Sequence, residues 1–583
     1  MKRFIGTALA AALLAGCSGG GGTHLLPKSA GSTSRAAQDV VVAPSGWAAT
    51  ATRGATIASG IDNGALDPNT KMTVRLGLAL RNPDGLRALI ASNQTISPAA
   101  FAAQYGPATA DVQNVVSYLR EQGLTNIETD TQLVSADGTA AQIAKAFNTS
   151  LESFTLAGEK VFVNTTPALV PSKLDGVVTA VLGLNNAAKM SVRPNLNCLK
   201  SAVLPTGQCV PRFEAATVQT YYNATSVPTG AATTVAVISE GDVSGTVADL
   251  RYAEAKQNLP QVPVTVVRVG LASPDTAGVA EWDLDSQSST GMAQNVSRLY
   301  FYDTTSLTDS DIANAYSKWV KDGLAKLGNS SFGECEYQAW LDGSMRVDDN
   351  LFMQGAAQGQ TMFVSTGDTG SSCALAPTNG APGSGPPMVE YPATSPYAVG
   401  VGGTSAIANA SDASYVGEAA WNAGGGGLSQ FENATSWQQS AQLVTVGLAA
   451  TNLRGLPDIA MAADAVAGAY RVYGTNIPGV GDCSAGCAIG GTSEASPLAM
   501  GAYARLLSAQ PSLGFAAPRF YANYMAKQNS ATTVNGPPPT QALGGFHDII
   551  TGGNGLYTAA PGYDYTTGLG TLDVGVMNSQ IGH

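Results

Sequence analysis

The chain is short of histidine, of charge and of basic residues in particular, and each shortage closes off a class of function. Three histidines serve 583 residues: His24, His547 and His583. A hydroxyl or thiol nucleophile commonly leans on an imidazole to take its proton. Here His24 lies in a Gly-rich leader stretch, His547 sits beside Asp548 in a loop-like segment, and His583 is the last residue, so any activated nucleophile needs a different base. Charged residues amount to only 12%, with Lys+Arg 30 against Asp+Glu 42 and a net charge of -12. Nucleic acid and anionic membrane surfaces demand clustered cations and are poor partners for such a chain. Few basic groups also leave little mutual repulsion once acid neutralises the carboxylates, which suits life at low pH. Beyond the leader there is no apolar run of about 18 residues, the length a membrane-spanning helix requires. No histidine stands near a close cysteine pair to complete a zinc ligand set.

What is present begins with Lys2 and Arg3, an apolar stretch from Phe4 to Leu14, and Leu14-Ala15-Gly16-Cys17. This reads as a secretory signal ending in a motif that resembles a bacterial lipobox. The expectation is cleavage before Cys17, a lipid anchor through Cys17, and an exported, cell-envelope location at the outer membrane or surface. Six further cysteines in an exported chain suggest disulfides, with 15 connectivities open. Sequence nearness favours Cys198 with Cys209 and Cys483 with Cys487, leaving Cys335 with Cys373.

Length argues for several domains. Residues 1–17 are assigned to the signal and 18–65, rich in Gly, Ser, Ala and Thr, to a flexible tether. Over 66–190, the strand-like "KMTVRLGLAL" and "KVFVNTT" interleave with the helical "PATADVQNVVSYLREQG" and "TAAQIAKAFNTSL", which predicts a small α+β domain. A connector occupies 191–216. Within 217–583, "TTVAVISEG", "VPVTVVRVG", "QTMFVSTGD" and "YAVGVGGTS" read as buried strands, with helices between them such as "DSDIANAYSKWVKDGLAKL". That alternation predicts a large α/β domain with a mostly parallel, doubly wound sheet and a ligand site beyond the carboxyl ends of its strands.

Three stretches could carry chemistry. In "GVAEWDLDSQSSTGMAQNV", Glu281 and Asp285 are four apart and share a helix face. Two carboxylates that close do not both ionise cheaply, so one is a base and the other holds and tunes it; a solvated acidic face is the plainer alternative. In "FVSTGDTGSS", Asp368 ends an apolar strand between glycines, where ordinary turn chemistry is the competing reading. In "AIGGTSEASPLAM", Ser493 stands where a Gly-rich turn feeds a helix, so that backbone N–H groups could stabilise developing negative charge; there Thr492 or Ser493 as a simple N-cap is the competing reading.

Taken together, E-x-x-L-D, then S-x-G-D-x-G, then G-T-S-x-x-x-P resembles the sedolisin family, the serine-carboxyl peptidases of subtilisin-like fold. "YPATSPYAVGVGGTS", "GGGGLSQF" and "LPDIAMAADAVAGAYRVY" look like further family segments. The resemblance implies a nucleophile at Ser493, a general base at Glu281, a supporting carboxylate at Asp285 and an oxyanion group at Asp368. Gly490, Gly491 and Thr366 depart from serines common in the family but lie outside those four side chains. Residues 66–190 resemble a ferredoxin-like activation prodomain of the pro-kumamolisin type. That implies a zymogen inhibited by its own prodomain, cutting itself in acid within 191–216, acting as a monomer on peptide or protein substrates. "FHDIITGGNGLYTAAPGYDYTTGLGTLDV" resembles the family's calcium site. Asp548 and Asp564 would supply carboxylates, and Ile549, Ala560 and Gly562 carbonyls, the hard oxygens calcium prefers. A catalytically inactive surface lipoprotein using the fold for binding is the competing reading.

Overall fold

The computed structural model describes residues 25–27, 41–57, 59–192, 194, 213–373, 382–444, 452–528 and 544–582. The expected signal sequence, Cys17, and the expected pair Cys198 and Cys209 lie outside the described residues. Among the described residues no helix is long and apolar enough to cross a membrane.

The N-terminal domain runs β1 (Lys71–Leu78), α1 (Thr109–Glu121), β2 (Thr125–Thr129), β3 (Leu133–Thr139), α2 (Ala140–Ala146) and β4 (Val178–Leu182). Its four-stranded sheet has the order β4-β1-β3-β2, antiparallel throughout. A β-α-β-β-α-β succession with that order is the ferredoxin-like arrangement anticipated. Strand β1 alternates because one face buries Met72, Val74, Leu76 and Leu78 in a core shared with Val115, Val116 and Leu119 of α1 and Ile143 of α2. Helix α2 starts sharply because Thr139 and Gln142 form a capping box, each side chain accepting the other's backbone N–H.

The tether expected over 18–65 is corrected by the structure for its later described part, 41–57 and 59–65. Trp47–Ala49 pairs antiparallel with Leu169–Pro171, and Ile61–Ala65 pairs with Leu151–Leu156. Partners more than 80 residues downstream draw this Ser/Thr-rich stretch into the domain, which low-complexity composition alone does not reveal.

The C-terminal domain is built on a ten-stranded sheet. Its elements are β5 (Thr234–Glu240), β6 (Val264–Val269), α3 (Val279–Ala293), β7 (Arg298–Thr304), α4 (Asp309–Asp322), β8 (Leu327–Ser330), α5 (Ser344–Ala357), β9 (Thr361–Ser365), β10 (Val399–Ala408), β11 (Ile459–Ala462), α6 (Thr492–Ala509), β12 (Phe546–His547) and β13 (Thr571–Leu572). The order is β6-β7-β5-β8-β9-β10-β11-β13-β12, with Tyr415–Ala420 added against β10. Every pairing from β6 to β13 is parallel; β12 and Tyr415–Ala420 are antiparallel additions. This is the mostly parallel, subtilisin-like sheet that the resemblance implied.

Details depart from the sequence reading. "VPVTVVRVG" is an edge strand, β6, half exposed along its length. Helix α4 stops at Asp322, where Gly323 takes the left-handed conformation that lets the chain reverse, and Leu327 begins β8. The larger domain also starts earlier than 217, since Phe213 bridges Tyr470 and a helix spans Ala215–Tyr221.

Two contacts between elements set the geometry of the sheet's carboxyl end and of the domain boundary. Helix α6 runs buried through the domain against α3, and their approach is close enough that a Cβ on Gly501 would lie 2.4 Å from the Ser289 carbonyl oxygen. The outer face of the N-terminal sheet lies on α4 and α5: Arg75 donates to Ser310 Oγ at 2.7 Å and pairs with Asp311 at 3.2 Å, and Gln132 donates to Gln354 at 2.7 Å. Disulfides join Cys335 to Cys373 and Cys483 to Cys487.

Candidate active site

Helix α3 carries Glu281 and Asp285 one turn apart, both 0% exposed, facing the nucleophile helix. Burial raises the pKa of each well above the ordinary carboxylate range. For Glu281 the charge of Asp285 raises it further, and the Ser493 hydroxyl against it pulls it back down. The Asp368 charge also reaches Glu281. Neither Glu281 oxygen has a completed hydrogen bond, so this carboxylate is held by its surroundings without being saturated. The acidic pair is therefore not a solvated face.

Ser493 is the second residue of α6 and only 4% exposed. The helix begins there because the strand Gly481–Ile489 runs into Gly490 and Gly491. A Cβ at Gly490 would meet the Ala463 carbonyl oxygen at 2.4 Å, and Gly491 has φ +110°, which disfavours any side chain. The N-cap reading is overturned. Gly491 is the cap residue, and the Thr492 hydroxyl donates to Asp368 Oδ1 at 2.8 Å, with the Thr492 N–H on the same oxygen at 2.8 Å.

Asp368 lies in the loop after β9. That loop is fixed by the Gly run: Gly425 N–H donates to the Gly367 carbonyl at 2.7 Å, and Thr366 Oγ1 donates to the Gly425 carbonyl at 2.8 Å. A Cβ on Gly425 would stand 1.9 Å from the Thr366 oxygen, so only glycine permits the approach. Glu281, Asp285, Asp368 and Ser493 thus converge from α3, the β9 loop and α6, at the carboxyl end of the parallel sheet.

Sequence reasoning missed Ser331, which follows β8 and donates to Asp285 Oδ1 at 2.6 Å, and Asn329, which donates to Ser331 Oγ at 3.0 Å. "GNSSFG" carries no spacing that marks it; only the parallel neighbour relation of β8 brings it to the site. Two residues further, Gly333 exchanges backbone hydrogen bonds with Ser191 at 3.0 and 3.3 Å. A single antiparallel bridge therefore seats the segment leaving the N-terminal domain at the rim of the site.

The five candidate metal ligands sit together near the C-terminus. Gly562 N–H donates to Asp548 Oδ2 and Ala560 N–H to Asp564 Oδ2, both at 2.9 Å, so one turn lies between two acids. The two acids are near enough that Asp564 raises the pKa of Asp548, after burial, to about 6. Among the described residues, the carbonyls of Ile549, Ala560 and Gly562 accept none of the backbone hydrogen bonds that close this loop. Uncommitted hard oxygens around two mutually repelling carboxylates fit a calcium ion. Among the described residues no cluster of three or more His, Cys, Asp or Glu suited to a metal forms here or elsewhere, so this loop offers two carboxylates and backbone carbonyls alone.

Comparisons with known proteins agree with this geometry. Residues 58–187 match the Pro-kumamolisin activation domain and 275–545 the subtilase family. The chain is 36% identical over 506 residues to sedolisin of Pseudomonas sp. (strain 101), covering 82% of this chain and 80% of that one. It is 34% identical over 581 residues to xanthomonalisin of Xanthomonas sp. (strain T-22), spanning 66% of the length of that protein and 88% of its own. The solved Pseudomonas sedolisin, a serine-carboxyl proteinase complexed with pseudo-iodotyrostatin, superimposes with a TM-score of 0.55 at 34% identity, over 63% of this chain and 97% of that one. The competing reading of an inactive binding lipoprotein gains no support from these matches.

Proposed function

The chain belongs to the sedolisin family of serine-type peptidases, and from that premise we propose that it is an acid-active endopeptidase or tripeptidyl-peptidase working through an acyl-enzyme on Ser493. The observation that supports this reading best is the buried contact of the Ser493 hydroxyl with a Glu281 carboxylate that has no completed hydrogen bond.

Ser493 Oγ bonds to the scissile carbonyl carbon as its proton passes to Glu281. Asp285 carries the pair's resident proton before the attack, because one proton held between two buried carboxylates costs less than two charges there. Negative charge gathering on the carbonyl oxygen is met by Asp368 in its protonated form. Glu281 then hands its proton to the amine nitrogen, the C–N bond breaks, and the acyl group stays on Ser493. Water repeats the sequence: Glu281 takes its proton, the hydroxide adds, and Ser493 leaves with the proton returned. A carboxylate base and a protonated acid donor coexist most readily in acid, so activity is expected to peak below neutrality.

The N-terminal domain acts as the intramolecular inhibitor. Its exit segment is bridged through Ser191 to Gly333 at the rim, where a substrate backbone would otherwise pair. Self-cleavage falls in the connector that follows. Calcium, bound by Asp548, Asp564 and the carbonyls of Ile549, Ala560 and Gly562, would supply charge neutralisation that ties the C-terminal loop to the sheet. Export with lipidation at Cys17 places the zymogen at the bacterial envelope.

The test is Glu281→Gln. The amide keeps shape and removes the base, so kcat should fall roughly 10³-fold with an unchanged circular dichroism spectrum. Turnover near that of the unaltered protein sinks the assignment, as does a pH optimum at or above 8.

A further inference from the structure

The short segment after β8 joins the helix bearing the nucleophile to the helix bearing the carboxylate pair through three hydrogen bonds that all run the same way. Ser496 Oγ, one turn beyond Ser493 on α6, donates to Asn329 Oδ1 at 2.6 Å. That fixes the amide so that its Nδ2 faces Ser331, and Nδ2 donates to Ser331 Oγ at 3.0 Å. With a lone pair so engaged, the Ser331 O–H turns to Asp285 Oδ1 at 2.6 Å. The other acceptor in reach is the Ser493 carbonyl, at 3.4 Å. That carbonyl is left without a helical partner because Pro497, four residues on, has no N–H. Ser496, Asn329, Ser331 and Asp285 are all fully or almost fully buried, so water does not compete for these bonds.

We infer that Ser331, oriented by Asn329, is a positioning residue that bars Asp285 Oδ1 from carrying the proton of the carboxylate pair and so leaves that proton in the span between Asp285 Oδ2 and Glu281. A donor on Asp285 Oδ1 leaves that oxygen as an acceptor, so the proton resides on Asp285 Oδ2 or on Glu281. With the proton on Asp285 Oδ2, Glu281 is the free base next to the hydroxyl it must deprotonate. The same chain also ties α6 to α3, so nucleophile and base move together.

The electrostatics point the same way. Ser331 and Asn329 both pull the pKa of Asp285 down against the larger upward effect of burial. The titratable groups facing the pair are Glu281 and Asp285 themselves on α3 and Asp368 from the β9 loop; α6 offers the Ser493 hydroxyl, and β8 with its following residue offers only the uncharged Asn329 and Ser331.

This inference rests on the catalytic reading above, and its test separates the two. Ser331→Ala and Ser331→Thr are compared with the unaltered protein and with Glu281→Gln, each variant that does not cut itself being processed by an added protease that is then removed, on one peptide across pH 2 to 8. Without the donor, the pair takes up its last proton at higher pH. The acid-side limb of kcat/KM in Ser331→Ala should then move up by about one pH unit and kcat should fall about tenfold, with Tm lowered by a few degrees at most. Ser331→Thr, which keeps the hydroxyl, should restore the limb. A Ser331→Ala profile that superimposes on the original overturns the inference, and so does a uniform loss of kcat with the limb unmoved. Should Ser331→Ala fail to fold, Ser331→Cys, nearly the same volume with a weak donor, is read by the same criteria. An active Glu281→Gln removes the catalytic reading whatever Ser331 does; an inactive Glu281→Gln with an unaltered Ser331→Ala removes only the positioning role.

Discussion

Thr492 holds Asp368 with two donors on a single oxygen: its backbone N–H and its hydroxyl both reach Oδ1 at 2.8 Å. The same hydroxyl accepts the Gly367 N–H at 3.1 Å. The residue preceding the nucleophile therefore sets the position of the acid proposed to meet the oxyanion, and neither can shift alone.

Removing that grip should cost turnover without costing substrate binding. Thr492→Val keeps the shape but loses the hydroxyl, and kcat should drop roughly 10- to 100-fold with KM nearly unchanged, as expected when a group used in the transition state is misplaced. Thr492→Ser should stay within about threefold of the original. Steady-state kinetics on a single peptide decide it, and a fully active Val variant refutes the coupling.

Stability should fall as pH rises toward neutrality. Besides the pair at the site, Asp283, Asp309, Glu334, Asp348 and Glu494 are buried with pKa values pushed well up, chiefly by desolvation. Glu240 and Glu336 are raised to about 7 and Asp349 to about 6. An unfolded carboxylate titrates near 4. Below about pH 4 both states are protonated and the full stability is present; between roughly 4 and 7 the unfolded chain ionises freely while the folded one cannot, and stability is lost. Thermal melts should show Tm declining over that window. Asp283→Asn, which replaces an acid facing Asp249 by a neutral isostere, should raise Tm by about 2–4 °C at pH 7 and leave it almost unchanged at pH 4. A Tm that climbs toward neutrality contradicts the sign.

Calcium should show itself as a shift in melting. At saturating calcium Tm should exceed that in chelator by about 5 °C or more, following ordinary ligand linkage. Asp548→Asn should abolish the difference, since it removes one of the two carboxylates. An identical melt with and without chelator removes the metal from this loop.

The inhibitory contact should weaken when its buried cation is reversed. Arg75 from β1 reaches Ser310 and Asp311 at the start of α4. Arg75→Glu removes the cation and the donor held by Asp311 and Ser310, and adds like charge while both acids are ionised, so the processed C-terminal domain should appear several-fold sooner on acidification, followed on gels. Unchanged processing kinetics would show that this pair does not hold the domain in place.

Much of the site is legible without any fold. Glu281, Asp285, Asp368 and Ser493 sit in short motifs whose order carries information, and helical spacing is enough to place the first two on one face. The supporting groups are not legible for a physical reason. Ser331 and Asn329 act through a parallel strand neighbour, Gly425 through contact with a loop nearly 60 residues earlier in the chain, and no local pattern encodes either. The N-terminal boundary is hidden for the same reason. Strands such as Trp47–Ala49 are three residues long and acquire their identity from a partner at Leu169–Pro171. The half exposure of β6 is likewise concealed, because an edge strand rich in Val reads like a central one until its missing neighbour is seen.

The bridge between Ser191 and Gly333 has a kinetic meaning. A segment already lying along the rim is presented by its own covalent attachment, at a local abundance that dilution cannot alter. Maturation should accordingly be first order, with a half-time the same at nanomolar and micromolar protein, and each molecule should be the first thing it cuts.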